Sequence, residues 1–233
     1  MKIAIHQPYL FPYIGYFQLI NVVDKFVVFD DVQYIKGGWI NRNRILLDGK
    51  PHLFTLGIQK GPRNRLINQV SFSKEIEKDK EKLLNKLEYN YKKAPFYKNT
   101  LNLVTEILES SETNISLFIT NSLKKVCNYL DIQTPFYISS NLEYDRTLKK
   151  VQRVIDIIVR MKATQYINTI GGIKLYSKKK FASHGIKLSY IKSGNISYPQ
   201  FNYPFVPDLS IIDVMMFNPK EKAKEFLSVF RLL

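Results

Sequence analysis

The chain opens on an apolar run, Lys2–Ile5, that ends at His6, and the pattern predicts a short strand. A loop rich in proline and aromatic residues follows, from Gln7 to Pro12. Ile14, Phe17, Gln18 and Ile20 then recur at helical spacing and predict a helix over Tyr13–Val23, which Asp24 breaks. Lys25–Phe29 is continuously apolar, the mark of a strand buried on both faces, and Asp30 and Asp31 close it. Gly37-Gly38 predicts a turn. Trp39–Leu46 and His52–Leu56 flank Asp48-Gly49, a strong local hairpin signal. A basic loop, Lys60–Arg65, leads to a further expected strand at Ile67–Phe72.

The middle is helical in pattern. Ile76, Leu83, Leu84, Leu87 and Tyr91 form one stripe; Ile115, Ile119, Leu123, Val126, Cys127 and Leu130 form another; Pro95 starts a helix between them. The last third alternates: strand Phe136–Ser139, helix Lys149–Met161, strand Gln165–Asn168, helix Leu175–Ser183, strand Lys187–Ile191. A loop rich in Tyr, Pro and Asn precedes Ser210–Phe217 and a terminal helix. Strands separated by helices of this length argue for parallel pairing. The expected fold is α/β and Rossmann-like: a largely parallel sheet with a β-hairpin insertion and a helical middle segment at about 74–131. Nothing marks a second domain within residues 1–233.

Composition narrows the setting. Hydrophobic residues make up 45% of the chain, enough for a substantial core, and no apolar run is long enough to cross a bilayer. With no membrane insertion expected and a single cysteine, Cys127, on an apolar helical stripe, the chain is expected in a reducing cytoplasm, with Cys127 a core thiol. The net charge of +15 attracts anions: nucleic acid, an anionic membrane or phosphorylated small molecules. Most lysines read as a wet surface. The arginines Arg42, Arg44, Arg63 and Arg65 are more clustered, and guanidinium forks suit phosphate and carboxylate.

Five segments carry candidate chemistry, each with a plainer structural alternative. His6, Gln7, Tyr9, Tyr13, Gly15 and Tyr16 span a strand end, a stiffened loop and a helix start, where open α/β sheets place ligands; otherwise the aromatics fill the core. Asp30 and Asp31, with Gln33 close behind, suit an amine, a ribose or a metal, or form a turn. Trp39, Asn41, Arg42, Asn43 and Arg44, with Lys60 nearby, suit phosphate; Arg42 and Arg44 share a strand face. Gly171, Gly172 and Tyr176 suggest an anion cradle at a helix start, or a simple turn. Ser210 and Asp213 have capping-box spacing. His6, His52 and His184 show no metal-ligand spacing, and no Walker loop, dinucleotide fingerprint or Gly-x-Ser-x-Gly elbow occurs.

These segments together carry a resemblance. His6-Gln7-Pro8 through Gly15-Tyr16-Phe17, Phe29-Asp30-Asp31-Val32-Gln33-Tyr34, Trp39-Ile40-Asn41-Arg42-Asn43-Arg44-Ile45, Gly171-Gly172 with Tyr176, and Leu209-Ser210-Ile211-Ile212-Asp213 resemble the WbqC-like family in the family's order. That family is met in bacterial gene clusters for O-antigen and related surface polysaccharides and is labelled glycine transferase. The resemblance implies an amide formed between a glycyl group and the amine of a nucleotide-linked amino sugar. Arginines would hold the nucleotide diphosphate, Asp30 or Asp31 would orient an ammonium group, and His6 would act as base. The glycyl donor would be an adenylate made from ATP or a glycyl-tRNA, and the positive charge permits tRNA as a partner. The alternatives are a non-catalytic nucleotide-sugar-binding accessory protein, plain RNA binding by stacked aromatics, and an ATP-using enzyme of nucleotidyltransferase type. The last is prompted by a distant similarity to the HxGH nucleotidyltransferases and pantothenate synthetase, with Tyr13 and Tyr16 where those enzymes carry histidines.

Overall fold

The computed structural model describes residues 1–233. In β1 (Lys2–His6) the consecutive residues Ile3, Ala4 and Ile5 are all buried, as a central parallel strand with both faces covered requires. The chain turns through the proline loop into α1 (Ile14–Val22) and returns as β2 (Lys25–Val28), parallel to β1 with His6 opposite Val28. The hairpin is β3 (Arg42–Leu47) and β4 (Lys50–Thr55), joined by Asp48 at φ 47° and Gly49 at φ 72°. Two consecutive positive φ values are what a twisted two-residue hairpin turn demands. The first strand begins three residues later than the sequence pattern predicts, because the Ile40 carbonyl accepts the Leu10 N–H and the Asn41 carbonyl accepts the Leu56 N–H.

The expected strand at Ile67–Phe72 does not form. Ile67–Gln69 is a 3-10 turn, and only isolated bridges join Ser71 to Asn114 and Phe72 to Ile58. Its N–H groups are spent elsewhere: Ile67 donates to the Val32 carbonyl and Asn68 to that of Asp30. The segment thus laces the loop after β2 to the helical middle. That middle is α2 (Ile76–Tyr91), α3 (Tyr97–Leu108) and α4 (Ile115–Tyr129), with Leu83, Leu87, Val104, Ile119, Leu123 and Val126 buried along the predicted stripes. Cys127 is buried there, and burial pushes its thiol pKa up, so it is a packed, unreactive group.

The last third adds β5 (Phe136–Ile138), α5 (Lys150–Arg160), β6 (Gln165–Thr169), α6 (Lys178–Ala182), β7 (Lys187–Ser193), α7 (Ile211–Phe217), α8 (Lys220–Phe226) and β8 (Phe230–Leu232). The six-stranded sheet runs β5-β2-β1-β6-β7-β8, parallel except for the antiparallel edge strand β8. β8 has only three residues, too few to leave a periodic signal. α6 is shorter than the expected Leu175–Ser183 because Ile173 and Leu175 stay exposed and offer no apolar stripe. One face of the sheet packs Val154, Ile155 and Ile158 of α5 and Phe181 of α6 against Ile3, Ile5, Val27 and Tyr166. The other carries α1, the hairpin, α7, α8 and the helical middle in one core. No helix is long and apolar enough to cross a membrane. Strand order reverses between β1 and β6, and ligands in such sheets sit at the carboxyl ends beside that reversal.

Ser210 caps α7, its Oγ accepting from the Ile212 N–H, but Asp213 does not complete a capping box. The Asp213 carboxylate is buried and accepts from Tyr91 Oη at 2.8 Å, Tyr198 Oη at 2.8 Å and Gln200 Nε2 at 2.7 Å. Tyr91 Oη in turn accepts the Leu46 N–H at 2.7 Å, so one hydroxyl couples α2, the hairpin and α7. Tyr91→Phe leaves two buried partners unmatched, and a loss of about 1–3 kcal/mol in urea unfolding is expected. An unchanged midpoint would contradict this coupling.

Candidate functional site at the carboxyl edge of the sheet

The loop after β1 is held in a strained shape. Phe11 has φ 41°, an uncommon conformation for a bulky side chain. Three hydrogen bonds impose it: Asn43 Nδ2 donates to the carbonyls of Leu10 (2.9 Å) and Phe11 (2.8 Å), and Ser210 Oγ donates to that of Phe11 (2.7 Å). Gly15 is required for a separate reason. A Cβ there would lie 2.4 Å from the Tyr13 ring and 2.5 Å from Ser193 Oγ, so glycine lets α1 close on the end of β7.

His6 ends β1 with its ring edge-on to Tyr9 and Tyr16, centroids 5.1 and 5.0 Å away. Its Nδ1 lies 3.2 Å from the Gln7 carbonyl oxygen. That acceptor assigns the proton of the neutral ring to Nδ1 and leaves Nε2 a lone pair with no protein partner. Burial lowers the His6 pKa, and the bond to Gln7 offsets only part of this, so the ring is neutral at pH 7. Tyr16 Oη donates to the same Gln7 carbonyl at 2.7 Å, and burial raises its pKa well above the ordinary value.

Beside this loop lies a cleft of about 420 Å³ lined by Tyr9, Tyr13, Trp39, Asn43 and Arg44, with Ile170 after β6, Lys192 and Ser193 on β7, and Asp208. The Arg44 guanidinium stacks 5.3 Å from the Trp39 ring, its Nη2 donates to the Asp208 carbonyl at 3.3 Å, and its buried Nε has no partner. A buried donor left unmatched is costly, and an anionic ligand group would satisfy it. Arg42 shares the stack on Trp39 but spends its Nε and Nη2 on the carbonyls of Gly38 and Gly37.

The other expected residues divide. Asn41 is structural, accepting from Tyr34 Oη and donating to the Leu56 carbonyl. Gln33 is exposed and holds the Arg63 carbonyl; Lys60 is exposed and lines none of the larger clefts. Gly171 and Gly172 lie in a 3-10 turn, and α6 begins only at Lys178, so no helix start stands behind them to make the expected cradle. Tyr176 packs edge-on against Tyr166 and Phe181. The carboxylates after β2 are engaged. Asp30 accepts from Ser116 and Ser140; Asp31 accepts from Tyr144 and Arg153; the one Ser139 hydroxyl proton lies between the two carboxylates, nearer Asp31 Oδ1. Protein donors thus hold both carboxylates in place; Asp30 is buried, while Asp31 also lines a cleft with Arg146 and Arg153.

The sequence pattern of the WbqC-like protein family matches residues 7–225. The chain belongs to the WbqC-like family. It is 30% identical to an uncharacterized protein of Mycobacterium tuberculosis over 238 residues, spanning 99% of each chain. No solved structure matches. Within this WbqC-like chain, the pattern of the sequence did not single out Lys192, Ser193 or Asp208 at the cleft, nor Arg146 and Arg153 beside Asp31. Lys192 and Ser193 directly follow the strand predicted at Lys187–Ile191, and in the structure they end it. Arg146 and Asp208 lie in loops without one.

The folded His6 titrates below its ordinary value of 6.5, so the unfolded chain takes up this proton first. The contribution of His6 is present above pH 6.5 and is lost as pH falls through that value toward the folded pKa. His6→Gln is therefore expected to lose less stability than wild type between pH 7.5 and pH 5, both read as urea midpoints; equal losses would contradict a neutral, buried ring.

Proposed function

We propose that this protein transfers an aminoacyl group, glycyl in the first instance, to the amine of a nucleotide-linked amino sugar used in surface-polysaccharide synthesis. Membership of the WbqC-like family supports the reading. The observation that carries it is the neutral His6 with an unpartnered Nε2, packed against Tyr9, which lines the Arg44–Trp39 cleft. An amine nucleophile must shed a proton as it attacks, and a neutral imidazole accepts one at pH 7. In the reaction the sugar nitrogen bonds the acyl carbon and the donor's C–O bond breaks. The amine proton passes to His6 and then to the departing oxygen. The donor is glycyl adenylate, formed with ATP, or glycyl-tRNA. Arg44 binds the nucleotide phosphate, and Trp39, Tyr9 and Tyr13 offer ring faces to the base.

The carboxylates favour a second reading, a nucleotide-sugar-binding accessory protein without turnover, because Asp30 and Asp31 are tied to serine, tyrosine and arginine donors of the protein itself. Nucleotidyl transfer is less well supported, since the Tyr16 hydroxyl is buried and committed to Gln7.

Purified protein incubated with labelled glycine, a nucleotide-linked amino sugar, and either ATP or charged tRNA separates these readings. An amide product is expected, with kcat falling about 100-fold or more in His6→Ala. KM for the sugar nucleotide is expected to rise about tenfold in Arg44→Gln. Binding of the sugar nucleotide with no amide under either donor would leave the accessory reading standing.

A further inference from the structure

A second cleft, of about 600 Å³, opens where Asp31 follows β2, and its lining is almost wholly polar: Asp31, Asn68, Gln69, Ser140, Arg146 and Arg153, with Leu66 the one apolar residue. Two guanidiniums converge on one carboxylate. Arg153 Nη2 lies 2.9 Å from Asp31 Oδ2 and Arg146 Nε lies 3.6 Å from the same oxygen. The Tyr144 ring backs both, 5.1 Å from Arg153 and 4.9 Å from Arg146. Neutralising Asp31 takes one arginine; the other leaves the lining residues with a net positive charge, with the Asp30 carboxylate held behind Ser140.

The donors are also in surplus. Arg146 Nη2 serves the Ser140 and Leu142 carbonyls at 2.8 and 3.1 Å, while its Nη1 has no protein partner. Arg153 uses Nε and Nη2 on Tyr144 and Asp31, and its Nη1 is likewise unused. Gln69 employs only Oε1, accepting the Leu66 N–H. The Asn68 side chain makes no hydrogen bond, so its Nδ2 is an idle donor, while its Oδ1 is a buried acceptor without a partner. A purely structural ion pair does not need this many idle donors around an open, charged space.

We propose that this cleft binds a phosphate group of a ligand, held by Arg146 and Arg153 with Asn68 and Gln69 completing the shell, as a site separate from the Arg44–Trp39 cleft. Asp31 and Tyr144 are positioning residues here: they fix the two guanidinium planes that grip the anion. The proposal does not rest on aminoacyl transfer and would survive its failure.

Inorganic pyrophosphate is the probe, titrated calorimetrically into the full chain carrying Arg44→Gln, which removes the orphaned cation of the other cleft. Binding is expected to persist in that protein. Adding Arg146→Gln is expected to weaken it about tenfold or more, the scale of one lost charge-assisted hydrogen bond. Arg146 has a side chain 50% exposed, so its loss should leave the fold intact. Arg153→Lys, which keeps the charge beside Asp31 but removes the fork, should weaken binding as well. Trp39, the sole tryptophan, lies in the other cleft, so its emission should not follow the titration in Arg44→Gln. No binding after Arg44→Gln alone, or equal binding with and without Arg146, would overturn the proposal.

Discussion

Phe11 holds a left-handed backbone that its side chain disfavours, and the loop between β1 and α1 has its shape only because Asn43 and Ser210 grip the carbonyls of Leu10 and Phe11. Those two side chains come from the hairpin and from the start of α7, far apart in sequence. The same contacts that impose the strain therefore dock the hairpin and α7 onto the carboxyl end of the sheet. They also set Tyr9 and Tyr13 opposite Trp39 and Arg44 across the cleft. Asn43 does no chemistry in this arrangement. It is the tie without which the cleft has no second wall.

Two electrostatic conditions follow from that closure. Burial against Tyr9 and Tyr16 keeps His6 neutral, and the Gln7 carbonyl decides which nitrogen holds the proton. Across the loop, Arg44 is charged, stacked and short of one partner. A base that is unprotonated at neutral pH and a cation lacking an acceptor thus stand on the two sides of one loop, the pairing on which the proposed transfer draws. The carboxylates after β2 belong to a different device, in which Asp30 ties α4 and the segment after β5 to the sheet and Asp31 aligns two arginines.

The strands and long helices were legible because their signals are local: apolar runs at β1 and β2, stripes in α2 and α4, and Asp48-Gly49 at the hairpin turn. Ile67–Phe72 misled because its apolar residues are buried by loop contacts, with its N–H groups bonded to Asp30 and Val32 instead of a strand. At the site, Tyr9, Tyr13, Trp39 and Arg44 line one cleft and His6 packs beside it; the sequence pattern placed them at a strand end, a stiffened loop, a helix start and a hairpin strand. What the pattern could not distinguish was a side chain that binds outward from one that ties inward. Arg42 and Arg44 alternate on one strand, yet only Arg44 is left with an unmatched donor, and Asp213 carries a catalytic-looking carboxyl that serves as a buried staple. Both outcomes depend on partners more than a hundred residues away or on turn carbonyls, which periodicity does not encode.

The proposed chemistry turns on the protonation state of His6, and nitrogen-15 NMR reads it directly. With three histidines in the chain, long-range couplings in a histidine-labelled sample resolve each ring, and His6→Gln assigns the signal. At pH 7 His6 is expected to be neutral, with its proton on Nδ1 and an unprotonated Nε2. A doubly protonated ring, or a neutral ring protonated on Nε2, would contradict it.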